Sequence, residues 1–160
     1  MRLGNPLPAA LLLLGLLGCS PSPLRPLEPI NRALEQAGVV REPSLSGDWL
    51  ALISGRQGRE QVVLVDLRLN RPVPVPGLNR PDAQPLSVSV DRNGERIALV
   101  RQRDGRTELA LYRRSIQGLQ SLPLLPPGVP SRVSLSGDGR LLAVQVSRDG
   151  LWQVDLLDVP

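Results

Sequence analysis

The sequence predicts an all-β fold made of three repeated units of antiparallel strands. One segment recurs at residues 46–51, 91–98 and 136–143, and its closing alanines are 47 and 45 residues apart. A second landmark, an Arg followed two residues later by Gly, lies five residues beyond each alanine. Two landmarks that stay in register three times indicate a structural repeat.

Each unit divides into short strands that are joined by tight turns. The predicted first strands are 44–45, 88–90 and 133–135, the second strands 49–54, 96–101 and 141–146, and the third strands 62–67, 109–112 and 154–157. Asn-Gly and Asp-Gly pairs between them supply the positive φ angles that hairpin turns need. Outer strands are predicted around 73–75 and 122–125, where flanking prolines suit a sheet edge.

A four-stranded unit of about 40–45 residues is typical of a propeller blade. The third unit reaches Pro160 after its third strand, so its outer strand is missing. Three blades do not easily close a ring. The sequence leaves two alternatives, an open three-blade wedge or a homodimer that forms a six-bladed ring.

The residues before the repeats predict a short helix. Apolar residues at 30, 33, 34 and 37 have helical spacing, and Gly38 is a plausible C-cap. In the alternative, Val39 and Val40 would supply the missing strand.

The first nineteen residues are typical of a secretory signal. Arg2 precedes an apolar run at 7–17, which is too short for a bilayer span of about 20 residues. A Ser-Pro-Ser-Pro linker follows at 20–23. The predicted organisation is therefore a signal at 1–18, a linker with a short helix at 19–42, and a repeat domain at 43–160.

Residues 16–19 read Leu-Leu-Gly-Cys and resemble the lipobox of bacterial lipoproteins. The resemblance implies that Cys19 is lipidated, becomes the new N-terminus and anchors the protein to a membrane. It also implies a place in the bacterial cell envelope, facing the periplasm from the outer or the inner membrane. Ser20 resembles the residue found after the Cys in lipoproteins sent to the outer membrane.

The repeat itself resembles the TolB-like propeller repeat. Residues 136–143, Ser-Gly-Asp-Gly-Arg-Leu-Leu-Ala, fit that pattern best, and the resemblance covers residues 43–160. The chain is also similar to small three-repeat lipoproteins of cyanobacteria. This resemblance implies a scaffold that docks a protein partner in the cell envelope.

The charged composition excludes several classes of function. All 19 basic residues are Arg, and the sequence contains neither His nor Lys. Histidine-based triads, Schiff bases and a structural zinc site are therefore excluded. We expect a binding protein that is not an enzyme and holds no cofactor or metal. The net charge is only +4, and the arginines are scattered along the chain, which argues against nucleic acid as a partner.

One face of the predicted blades carries the candidate binding residues. Arg56, Arg103 and Arg148 open the second-to-third-strand turn of successive blades and would form a ring of guanidiniums there. The long loop at 77–85 falls on the same face and offers Leu78, Asn79, Arg80 and Asp82 as partner contacts. The competing interpretation is structural, because Asp and Gly also suit plain hairpin turns.

Three aromatic residues complete the candidates, namely Trp49, Tyr112 and Trp152. We expect them to be buried, because aromatic side chains offer large apolar areas to a core. The alternative is a platform for stacking carbohydrate. The leading functional hypothesis is a lipid-anchored envelope module that docks a protein. Its competitor is a binder of carbohydrate or cell-wall polymer, such as a degenerate glycosidase-like propeller.

Overall fold

The computed structural model describes residues 23–160, so the predicted signal segment and Cys19 lie outside the described residues. Within this range lie one helix and eleven strands. The helix α1 spans Glu28–Gln36. The strands are β1 (Val39–Ser46), β2 (Trp49–Arg56), β3 (Arg59–Asp66), β4 (Arg71–Val73), β5 (Ala83–Val90), β6 (Arg96–Arg103), β7 (Arg106–Arg113), β8 (Gly118–Leu122), β9 (Val129–Leu135), β10 (Leu141–Arg148) and β11 (Leu151–Asp158).

The strands form three separate antiparallel sheets, which we call blades. Blade 1 has the order β1-β2-β3-β4, blade 2 the order β5-β6-β7-β8, and blade 3 contains β9, β10 and β11 with β10 in the middle. Neighbouring strands in each sheet are also neighbours in sequence, as tight turns require. The prediction of an all-β fold with three blades is confirmed, and among residues 23–160 the third sheet has three strands.

The outer strands lie earlier in the sequence than predicted. β4 ends at Val73 and β8 ends at Leu122, whereas the prediction placed these strands around 73–75 and 122–125. Each observed strand is followed at once by a proline, which has no N–H to donate to the ladder. Asn70 and Gln117 both have positive φ and lie in the turns directly before these two strands.

The predicted short helix is confirmed before the first blade. Pro29 lies in its first turn, where a missing backbone N–H costs nothing. Gly38 follows the helix with φ +92°, a conformation that glycine adopts without strain. Val39 and Val40 then pair with Gly55 and Ser54 inside blade 1. They therefore extend β1, so that the first sheet begins four residues before the predicted boundary, and they do not complete the third sheet.

Two apolar layers hold the blades together. Strand alternation turns Ile53 and Leu64 of blade 1 toward Ile97 and Leu99 of blade 2, and all four are buried. A second cluster fills the space between blades 2 and 3, with Val100, Leu111, Leu142, Val144 and Val146 among its buried members. Each fully buried aliphatic side chain contributes about 1.5–3 kcal/mol to folding. The blades thus stack face to face, as successive blades of a propeller do.

Serine side chains join the innermost strands of successive blades. Ser44 in β1 accepts a hydrogen bond of 3.1 Å from the backbone N–H of Val90 in β5. Ser89 in β5 accepts one of 2.8 Å from Leu135 in β9. Ser44 and Ser89 lie 45 residues apart, so one repeat position makes the same bridge twice. These bridges fix the inner strands together and set how the blade ends approach one another.

Candidate functional site

The Arg-x-Gly landmark of each repeat is a two-residue hairpin turn. Both central residues have positive φ in all three copies: Gln57 and Gly58 at 53° and 75°, Asp104 and Gly105 at 50° and 72°, Asp149 and Gly150 at 51° and 78°. This geometry is the type I′ turn, whose twist matches that of the flanking strands. The last two residues of the landmark therefore set the turn, as the structural interpretation of the pattern predicted.

The three arginines that open these turns differ in their surroundings. Arg56 is exposed beside Arg59, its partner across the hairpin. The Nε of Arg103 lies 3.1 Å from a carboxylate oxygen of Asp82 and 3.5 Å from one of Asp104. Arg56 and Arg103 thus both reach the surface at this end of the blades.

Arg148 is held inside its own blade. Its guanidinium makes a forked pair with the carboxylate of Asp155 and donates to the carbonyl oxygens of Pro126 and Pro127. The side chain is only 11% exposed. Hydrogen bonding to Asp155 raises the pKa of Arg148 and holds the pKa of Asp155 below its usual range. The expectation of three equivalent guanidiniums is thereby corrected, because Arg148 clamps a loop.

A polar cleft of 610 Å³ opens between blades 1 and 2 on the predicted face. Its walls are the β2–β3 turn, the long loop before β5 and the β6–β7 turn. The lining residues are Gly58, Arg59, Glu60, Gln61, Asn79, Arg80, Pro81, Asp82, Ala83, Gln84, Gln102, Arg103 and Asp104. Four of the predicted site residues, namely Asn79, Arg80, Asp82 and Arg103, therefore come together. Arg56 and Arg148 are not among the lining residues.

The long loop is tied to the fold by two neighbouring residues. The side-chain amide of Asn79 donates 2.8 Å to the carbonyl of Val62 and accepts 2.7 Å from its N–H. It thus extends the β3 ladder beyond the short strand β4. Leu78 is 2% exposed and belongs to the core between blades 1 and 2. This corrects the expectation that Leu78 contacts a partner, since its apolar side chain anchors the loop inward.

The rim of the cleft is a chain of charges of alternating sign. Arg80 donates 2.9 Å from Nε to Asp82, whose other carboxylate oxygen faces Arg103. Hydrogen bonding to Arg80 lowers the pKa of Asp82, and the same contact raises the pKa of Arg80. The three side chains therefore hold one another in place at a half-exposed position. They present charge to a ligand in a fixed arrangement.

The inner end of the cleft contains Glu60, which the sequence analysis did not single out. Its carboxylate accepts two parallel hydrogen bonds from Arg41 and a third from Gln84. Hydrogen bonding to Arg41 lowers the pKa of Glu60 from 4.5 to about 2. Arg41 was overlooked because it fell in the presumed linker, although it belongs to β1. Glu60 lies two residues before the core residue Val62, and residues two apart in a strand share a face. This spacing was the one sequence signal that pointed Glu60 toward blade 2.

The cleft carries equal numbers of positive and negative side chains. Arg59, Arg80 and Arg103 stand against Glu60, Asp82 and Asp104. The remaining polar lining consists of the amide side chains of Gln61, Asn79, Gln84 and Gln102. Such a surface pairs with donors, acceptors and charges of both signs, which is the character of a polar protein surface.

The three aromatic residues differ in their burial and contacts. Tyr112 is fully buried and donates 2.8 Å to the carbonyl of Pro76, and Trp49 packs under the guanidinium of Arg114 at 4.5 Å. Trp152, however, is 62% exposed on β11, so its predicted burial is wrong. It faces away from blade 2, where the sheet has no neighbour. None of the three lines the cleft.

Two further searches concern only the described part of the chain. Between residues 23 and 160, no group of three or more His, Cys, Asp and Glu side chains is placed to hold a metal ion. In the same range, no helix is both long and apolar enough to cross a membrane.

Comparison with known proteins supports the fold. No protein-family model matches the sequence, and no curated protein matches it. Among solved structures, the chain is similar to TolB from Acinetobacter baumannii, with a TM-score of 0.56 and 19% identity over 73% of this chain and 29% of TolB. It is also similar to the β-propeller domain of the Trilobed protease from Pyrococcus furiosus, with a TM-score of 0.55 and 14% identity over 74% of this chain and 38% of that one.

This chain thus spans well under half the length of either neighbour. At these identities the similarity concerns the fold. Together with the three antiparallel sheets, it establishes that residues 23–160 adopt a partial β-propeller of the TolB-like kind.

Proposed function

We propose that this protein is a lipid-anchored binding module of the bacterial cell envelope that docks a protein partner at the cleft between blades 1 and 2. One observation carries the proposal: Asn79, Arg80 and Asp82 of the long loop converge with Arg103 of the next blade around a cavity of 610 Å³. Connecting loops held by a rigid sheet scaffold are the usual place for binding residues.

The chemistry of the cleft favours a protein over a polymer. Its charges balance, so it offers no field that would gather an acidic wall polymer. Carbohydrate sites commonly stack sugars on aromatic rings, and the lining of this cleft contains no aromatic side chain. A polar segment of a protein, with alternating charges and main-chain amides, would satisfy the Arg80–Asp82–Arg103 chain and the neighbouring glutamines.

A role without catalysis is supported by the sequence. It has neither His nor Lys, the side chains most used as general bases and amine nucleophiles at neutral pH. The fixed ion pairs of the cleft also suit recognition, because they present charge without a free nucleophile. We propose a binder whose specificity comes from the long loop at 77–85 and the β6–β7 turn.

Anchoring is proposed from the N-terminal sequence. The apolar run at 7–17 and the Leu-Leu-Gly-Cys that ends at Cys19 support lipidation and an envelope location. Cys19→Ala would test this in cells that incorporate labelled palmitate. We expect the wild type to carry label and to fractionate with membranes, and the variant to do neither. A labelled, membrane-bound variant would contradict the anchor.

Docking is tested by affinity capture from membranes solubilised in a mild detergent. We expect one specific protein to be recovered by the wild type and lost with Arg80→Ala/Arg103→Ala. Arg140→Ala is the matched control, since Arg140 is exposed in a turn that joins first to second strands, at the opposite end of the blades. Equal recovery by the double variant, or loss with the control, would contradict the cleft as the docking site.

A further inference from the structure

The third blade presents an apolar face that the repeat has built for a neighbour. Val62, Leu109 and Val154 occupy the same repeat position, eleven residues beyond the alanine of each unit. Val62 and Leu109 are 2% and 1% exposed because the following blade covers them, whereas Val154 is 67% exposed. At the position two residues on, Leu64 and Leu111 are buried and Leu156 is 75% exposed. In the part of the chain that the structure describes, no following blade covers blade 3.

This face can be traced residue by residue from the strand register. Ala143 pairs with Leu156, Gln145 with Val154, and Ser147 with both Trp152 and Val129. Because cross-strand partners point to the same side of a sheet, all these side chains lie on one face. The exposed large apolar residues of the face are Val129, Leu141, Trp152, Val154 and Leu156. Contiguous apolar patches of this kind are rare on isolated monomers and mark contact surfaces.

The opposite end of the wedge is partly covered, although Val40 and Leu45 on that face are 40% and 68% exposed. Leu52 and Val65 lie on the face of blade 1 that points away from blade 2, and both are buried outside the two inter-blade clusters. On that face Ser54 Oγ donates 2.8 Å to the carbonyl of Ala37, directly after α1. Ile30 of α1 is buried as well. The helix therefore occupies the place where a blade from a second chain would sit in a six-bladed ring.

We propose that the free face of blade 3 is a homodimer interface, which packs against the same face of a second copy. At the equivalent positions of blades 1 and 2, this face packs against the apolar surface of another blade. In the described part of the chain, such an apolar surface is free on blade 3, whereas on blade 1 it is partly occupied by the segment around α1. An isologous contact between two copies of blade 3 closes on itself and needs no displacement of α1. This proposal is independent of the cleft and its partner.

Size and charge agree with this occupant. β10 and β11 each have eight residues, so the sheet is about 26 Å long at ~3.3 Å per residue. Two such faces packed at about 10 Å bury an area near the lower end for specific interfaces, roughly 1,000–1,200 Å² in total. Its charged members are Arg132 on β9, which lies 4.0 Å from Glu42 of the same chain, and Asp158 on β11. The face thus carries one charge of each sign. We therefore expect a dimer that dissociates on dilution.

The test measures the mass of the purified full chain by sedimentation and light scattering over a range of concentrations. Four proteins are compared: the wild type, Val154→Asp, Ile116→Asp and Ile30→Asp. Ile116 is a matched control, because it is 69% exposed in the β7–β8 turn, away from the proposed interface. Fluorescence of Trp152 gives a second readout, since its emission moves to shorter wavelength when it becomes buried.

We expect the wild type, Ile116→Asp and Ile30→Asp to double in mass as concentration rises. Val154→Asp is expected to stay monomeric with an unshifted Trp152 emission and a native circular dichroism spectrum. A wild type that stays monomeric up to high concentration would overturn the proposal. A dimer that survives Val154→Asp would indicate pairing along the β11 edge instead, and one lost with Ile30→Asp would place the interface at blade 1.

Discussion

Arg41 on β1 and Glu60 on β3, the two strands that flank β2, face each other through two parallel hydrogen bonds of 2.9 and 2.8 Å. The same guanidinium reaches the carbonyl oxygens of Pro85 and Leu86 in blade 2. Those carbonyls lie at a bulge in β5, where the ladder to β6 is interrupted. One arginine thus joins two blades beneath the cleft, and Glu60 holds its orientation.

Glu60→Gln is predicted to destabilise the protein by about 1–3 kcal/mol at pH 7, because it removes a charged acceptor from Arg41. The lowered pKa of Glu60 sets the pH dependence. Its stabilisation is complete above pH 4.5 and is lost as the pH falls toward about 2. Urea unfolding should show a deficit for Glu60→Gln that shrinks as the pH is lowered toward 2. A similar deficit in Glu35→Gln, on the exposed side of α1, would contradict this assignment.

Asn79→Ala is predicted to destabilise the protein by about 1–3 kcal/mol, because it leaves the N–H and the carbonyl of Val62 without their partner. Arg80→Ala in the same loop removes a half-exposed ion pair and should leave the unfolding midpoint unchanged. Denaturant unfolding of the two variants separates the anchor of the loop from its binding surface. Equal midpoints for the two variants would show that the Asn79 side chain does not anchor the loop.

Arg148→Lys is predicted to lower the melting temperature by several degrees. Lysine keeps the charge but lacks the planar fork that meets Asp155 and the two proline carbonyls. Arg56→Lys at the equivalent repeat position should have no effect. Calorimetry of the pair tests whether one sequence landmark serves two roles. The clamp would be refuted by an Arg148→Lys protein that melts with the wild type.

Gly94→Ala is predicted to cost more than Gly105→Ala. Both glycines have positive φ, so each substitution incurs about 1–2 kcal/mol of backbone strain. A Cβ at Gly94 would also lie 2.3 Å from Cδ2 of Trp49, whereas one at Gly105 meets nothing within 4 Å. Overpacking adds about 1–3 kcal/mol at Gly94. Equal losses of stability in the two variants would rule out close packing of Trp49 on this turn.

The repeat could be predicted from the sequence because its turns are local. Asp-Gly and Asn-Gly pairs favour positive φ at their glycine, so Gly105 and Gly139 marked their hairpins without any tertiary information. The outer strands were misplaced because the positive φ angles of the turns before them fall on Asn70 and Gln117, which belong to no Asn-Gly or Asp-Gly pair. The prediction therefore placed Pro74 and Pro123 inside the strands, whereas each proline directly follows its strand.

The position of the site on the fold could be predicted better than the residues that form it. Loop length pointed to residues 77–85, and the repeat placed Arg103 on the same face. Burial of Leu78 depends on the opening between two sheets, which no local pattern reveals. The pairing of Arg148 with Asp155 joins two strands of one blade, but Arg148 stands opposite Leu151 and Asp155 opposite Val144, so the register alone did not indicate it. The role of Glu60 depends on Arg41 from a strand that was read as linker.

The most direct test of the cleft as a docking site is photocrosslinking in intact cells. A photoreactive amino acid at Gln102 would stand in the cleft wall, and one at Arg140 would stand at the opposite end of the blades. Irradiation is predicted to give one discrete adduct from position 102, which disappears in the Arg80→Ala/Arg103→Ala background, and none from position 140. The same adduct from both positions, or one that persists without the two arginines, would contradict docking at this cleft.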